Sequence, residues 1–111
     1  MNAQKAQLHV ALVWHMHQPY YKDLASGEYK MPWVRLHGVK DYLDMALLLD
    51  EFPGVHLTFN LVPSLLEQLE DYVEHDAEDE CLRLSRKSAD ALTTEDKITL
   101  LMKFFNFYSF L

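Results

Sequence analysis

The sequence predicts an α/β fold built on parallel strands. Three observations carry that reading. Residues 8–14, LHVALVW, form a nearly continuous apolar run rich in Val and Leu, the pattern of a strand covered on both faces. Residues 55–60, VHLTFN, alternate and are β-prone, which marks a second strand. Between them lies a segment of helical period, and a strand–helix–strand unit implies a right-handed crossover and a parallel pair. Two parallel strands do not make a stable sheet alone. The expectation is therefore that residues 1–111 are the first part of a larger catalytic domain.

Composition narrows the class. The 111 residues are half hydrophobic, with Gly and Pro scarce, as in a folded chain. Ten Lys and Arg against 17 Asp and Glu give 10 − 17 = −7, which argues against nucleic acid as a partner, since phosphate binding needs a basic patch. No run reaches the ~18 apolar residues of a membrane span. The N-terminal MNAQKAQLHVALVW has no signal-peptide pattern: its apolar stretch is short and His9 interrupts it. One cysteine, Cys81, has no internal partner. That fits a reducing compartment, and a cytoplasmic location is expected.

The elements follow in order. Residues 15–37 show no apolar period and hold Pro19, Gly27 and Pro32, so a long loop is expected, and loops of that length are usually functional. Residues 38–52 place Val39, Tyr42, Leu43, Ala46 and Leu49 on one helical stripe, and Phe52-Pro53-Gly54 stops the helix. After the second strand, Pro63-Ser64 opens a helix, with Ser64 and Glu67 spaced as a capping box. A short helix is expected over 80–91. Thr93 with Asp96 signals another start, with a helix from about residue 95. The last segment, ITLLMKFFNFYSFL, is apolar on most sides and demands burial in something larger.

The negative charge is local. Residues 70–80, EDYVEHDAEDE, hold seven acids and no Lys or Arg, while the other 100 residues are neutral. A solvated helix end or loop is expected there. A calcium loop is discounted, because the Gly of its sharp turn is missing.

The chemistry-bearing segment is His15-Met16-His17-Gln18-Pro19-Tyr20-Tyr21, at the end of the first strand. Ligand sites in parallel α/β folds sit at the C-terminal ends of strands. Two histidines two residues apart point to the same side of an extended chain. Three readings stay open on pattern alone. The pair is part of a divalent metal site of a hydrolase or deacetylase, which needs one or two further ligands. It lines a polar substrate pocket. Or both imidazoles are satisfied by backbone. The loop adds Tyr20, Tyr21, Tyr29, Trp33 and Arg35. Aromatic faces among polar groups suit a sugar, though many such rings simply pack a loop onto its scaffold. Asn60 ends the second strand, where its amide lines the same pocket or closes a turn.

HMHQPYY, then MPWVRLHGVKDYLDM, then HLTFNLVPSLLEQLEDY together resemble the N-terminal part of glycoside hydrolase family 57. The first signature of that family is HQP, here His17-Gln18-Pro19, often preceded by a His two residues earlier, here His15. The resemblance covers most of residues 8–75. It implies the first portion of an incomplete (β/α)7 barrel acting on α-glucans, as α-amylase, 4-α-glucanotransferase or branching enzyme, with a retaining mechanism and no cofactor or metal. It also implies that the catalytic Glu and Asp stand in later strands, so no carboxylate of this chain is assigned to catalysis. The expected substrate-binding set is His15, His17 and Gln18, shaped by Pro19, with Trp33 and Asn60 added from the residue-level reading. The expected partners are an α-glucan or maltooligosaccharide and the rest of the same barrel. A non-catalytic carbohydrate-binding module is the other alternative.

Overall fold

The computed structural model describes residues 7–108, with side chains described as far as Lys103. Strand β1, Val13–Met16, is followed by helix α1, Trp33–His37. A π-helical turn, Gly38–Tyr42, leads into α2, Leu43–Glu51. Strand β2, Thr58–Leu61, precedes α3, Pro63–Glu74, and α4, Glu80–Ser85. A 3-10 turn, Ala89–Ala91, and helix α5, Thr94–Tyr108, complete the order. The fold is mixed α/β, and β1 and β2 pair in parallel as the crossover argument requires.

The parallel register is Val13 with Thr58, Trp14 with Phe59, His15 with Asn60 and Met16 with Leu61. Alternation then divides the pair into two faces. Met16 packs with Val34 of α1 and Leu65 of α3, joined by Tyr21, Tyr42, Met45, Phe59, Val62, Leu69 and Tyr72. Trp14 meets Phe59 edge to face, ring centroids 5.6 Å apart. Among the described residues, the helical side chains of the core cluster pack on that side. Val13, His15, Thr58 and Asn60 point the other way and are exposed. The radius of gyration is 20.2 Å, against about 13 Å for a compact chain of this length.

Several expectations need correction. The first strand is not residues 8–14 covered on both faces. It starts at Val13, and Leu8 and Val10 are 87% and 74% exposed. A strand persists only where a neighbour supplies ladder partners, and β2 reaches back no further than the bond from Thr58 N–H to the Leu12 carbonyl. The loop ends early, because the helix begins at Trp33. The stripe Val39–Leu49 is broken by the π turn, whose extra residue rotates the following helix. Tyr42 and Met45 reach the core, while Val39 is 67% exposed. Ser64 and Glu67 form no capping box: Val62 is the N-cap, Pro63 occupies the first turn, and no side chain caps the helix. Ser64 enters two residues too late to cap.

Other signals hold. The helix stops at Phe52. Thr93 and Asp96 form the reciprocal box: Asp96 N–H donates to Thr93 Oγ1, and Thr93 N–H to Asp96 Oδ2, both at 3.1 Å. Region 80–91 divides into α4 and the 3-10 turn. Along α5, Ile98, Leu101 and Met102 are exposed. The side chains of residues 104–108, and the expectations for residues 1–6 and for Phe110-Leu111, lie outside the described residues.

Helix α3 carries the scaffold's main polar connections. Gly38 lets the first helical segment approach it closely, since a Cβ there would stand 2.9 Å from Leu69 Cδ2. The acidic run is not uniformly solvated. Asp79 is fully buried, caps α4 by accepting from Leu82 N–H at 2.9 Å, and receives Arg35 Nε at 2.6 Å. Asp71 accepts from Lys22 Nζ at 2.5 Å and from the Tyr29 hydroxyl at 2.9 Å. Glu78 pairs with Arg86 and Glu80 with Lys103. Four of the seven acids thus hold a Lys or Arg brought in from elsewhere in the chain, while Glu70, Glu74 and Asp76 are exposed.

Candidate functional site

The site is built at the C-terminal end of the parallel pair, on the face without helices. His15 is the third residue of β1, and His17 follows one residue past the strand. Their rings stack with centroids 5.7 Å apart and planes 11° from parallel, so the period-two argument is borne out. Opposite His15, its ladder partner Asn60 brings Nδ2 to 2.9 Å from His15 Nδ1. Asn60 therefore lines the same surface as the histidines. All three side chains are exposed.

Gln18 turns inward. It is buried, and both ends of its amide are held by protein: Nε2 donates to the Tyr42 hydroxyl at 2.9 Å, and Oε1 accepts from the Tyr21 hydroxyl at 3.2 Å. The Tyr42 hydroxyl donates in turn to the His17 carbonyl at 3.1 Å. Tyr42 closes the π turn, so the helix irregularity is what brings a phenol under the histidine backbone. On the other side, Ser64 Oγ donates to the Gln18 carbonyl at 3.0 Å.

Pro19 is exposed, and its carbonyl accepts from Gln68 Nε2 at 2.9 Å. Gln68, fully buried on α3, also accepts from Tyr21 N–H at 2.8 Å. One side chain thus satisfies two backbone groups of the loop that leaves the site. Sequence reasoning missed it. A Gln inside an amphipathic helix looks like a surface residue, and its offset of one turn from Ser64 was the only available signal.

The remaining loop residues mostly fasten the loop. Tyr29 is buried, its ring 4.9 Å from that of Tyr72. Burial, reinforced by the Asp71 carboxylate, pushes its phenol far above the ordinary tyrosine range. Tyr20 donates to Glu67 at 2.9 Å. Arg35 is committed to Asp79. Trp33 stacks on His37, one turn along α1, at 5.7 Å, and His37 leans on Tyr42. Trp33 is thus linked to the site through His37 and Tyr42, without a ring contact to His15 or His17 among the described residues.

Among the described residues, no three His, Cys, Asp or Glu side chains gather as metal ligands. No helix there is long and apolar enough to cross a membrane. What the site offers is two parallel imidazoles and an amide on an open sheet face. These are hydrogen-bonding groups and flat surfaces, suited to a polar ligand.

No curated protein and no solved structure matches the chain. The family model described as "Glycosyl hydrolase family 57" matches residues 11–109, which takes in both strands and every residue of the site. The chain belongs to glycosyl hydrolase family 57.

Proposed function

We propose that this chain is the sugar-contacting N-terminal part of a retaining enzyme acting on α-glucans. The observation that carries the reading is the stacked His15–His17 pair on the open face at the strand ends, in a chain matched to this family. His15 and His17 hydrogen-bond sugar hydroxyls. Asn60 supports His15. Gln18 and Pro19 shape the turn beneath them, and Trp33 stands at the rim.

The catalytic carboxylates come from outside this chain. A retaining glycosidase needs a nucleophile and an acid/base roughly 5–5.5 Å apart, and none of the carboxylates here is assigned either role. The open face of β1 and β2 is covered by further strands of an incomplete (β/α)7 barrel, which is the second partner in this reading besides a maltooligosaccharide. Exposure of Val13, at 60%, on that face supports such cover.

The test is His17→Ala in the protein that carries this chain. One lost neutral hydrogen bond is worth about 0.5–1.5 kcal/mol, so kcat/KM on maltooligosaccharides should fall roughly 3- to 10-fold, with amylose affected alike. Unchanged kinetics on both would refute the assignment. The 111-residue chain by itself should show no turnover, and measurable hydrolysis by it would refute the placement of the carboxylates.

A further inference from the structure

We infer that Asn60 is a positioning residue that holds His15 in the tautomer with its proton on Nε2. The two residues are direct partners in the parallel ladder, so their side chains leave the sheet on the same face. Asn60 Nδ2 stands 2.9 Å from His15 Nδ1. An amide nitrogen has only protons to give, so Nδ1 is the acceptor. A neutral imidazole that accepts at one nitrogen carries its proton on the other. The exposed ring of His15 makes this one side-chain hydrogen bond among the described residues, which leaves Nε2–H available as a donor.

Register makes the device specific. A slip of one residue between β1 and β2 would send the Asn60 side chain to the helical face and free the ring. The stacked ring of His17 limits how His15 rotates, so the donor direction is set by a strand partner on one side and a ring on the other. The inference deepens the carbohydrate reading. It rests on that reading only for the purpose of the donor, which is to meet a sugar hydroxyl oxygen.

Long-range proton–nitrogen NMR correlation of the histidine rings tests it, in the protein that carries this chain. In alkaline solution the neutral tautomers are read directly. Wild-type His15 should show a protonated Nε2 and a bare Nδ1. Asn60→Asp should move the proton to Nδ1, because a carboxylate only accepts. Asn60→Ala should give a mixture of both tautomers. A wild-type ring protonated on Nδ1, or an Asn60→Ala ring that keeps the single wild-type tautomer, overturns the inference. A wild-type ring protonated on Nδ1 overturns it even if a variant fails to fold, and the change of tautomer in Asn60→Asp carries the support, because a free imidazole already favours a protonated Nε2. Addition of maltotetraose separates this inference from the carbohydrate reading. A shift at His15 Nε2 supports both. The expected tautomers with Nε2 unmoved support the role of Asn60 and count against sugar contact at His15.

Discussion

Replacing Gln68 by Met tests what holds the site loop in place. Gln68 is fully buried on α3 and accepts from Tyr21 N–H at 2.8 Å. Its Nε2 donates to the carbonyls of Pro19 at 2.9 Å and Ser64 at 2.6 Å. Methionine has nearly the same length and fills the space, so cavity formation is minor. Ser64 lies within α3, where the helix ladder also serves its carbonyl. The Tyr21 N–H and the Pro19 carbonyl are the groups left without a partner. Pro19 is exposed, so its carbonyl can turn to water and the main cost is the Tyr21 N–H, about 1–3 kcal/mol. With a urea slope of about 1.5 kcal/mol per molar, the unfolding midpoint should fall by about 0.7–2 M. Hydrogen exchange at the Tyr21 amide should accelerate locally as well. A midpoint that moves by less than ~0.3 M, with that amide still protected, would show that α3 does not hold the loop through Gln68.

Other predictions follow from the same scaffold. Asp79→Ala removes the buried partner of Arg35 and the cap of α4. It should cost about 3–5 kcal/mol in chemical denaturation. Asp79→Asn should cost less, because Asn still caps; equal losses would contradict the capping contribution. Asp71 is held below the usual carboxylate range, chiefly by the Lys22 hydrogen bond and also by Tyr29. A depressed folded value stabilises above the unfolded pKa of about 4 and is lost as pH falls through the folded value. Asp71→Asn should therefore flatten the acid limb of the stability curve below about pH 4, and an unchanged limb would remove Asp71 from the explanation. Burial pushes the Cys81 thiol upward, and the residue is 5% exposed. A thiol reagent should label the folded protein at least ~100-fold more slowly than the urea-unfolded chain; similar rates would contradict the buried environment.

The sequence by itself determined the order of the main elements and the parallel pairing, and it pointed to a candidate site at the end of the first strand. These are local or one-dimensional properties. Periodicity separates strand from helix, Phe52-Pro53-Gly54 ends a helix chemically, and Thr93 with Asp96 caps one. The HxH spacing already placed both imidazoles on one side of an extended chain, and the rings stack there. Tertiary structure alone decided how far β1 extends, because strand length depends on the partner. It decided that Gln18 faces Tyr21 and Tyr42, because the π turn that delivers Tyr42 leaves no mark in a helical stripe. It also turned part of the acidic run inward. Like charges in sequence read as solvated, yet Asp71 and Asp79 meet Lys22 and Arg35 across more than forty residues. A charge's cost depends on its neighbours in space. The register that pairs Asn60 with His15 is likewise a property of two strands together, and it brings Asn60 Nδ2 to 2.9 Å from His15 Nδ1.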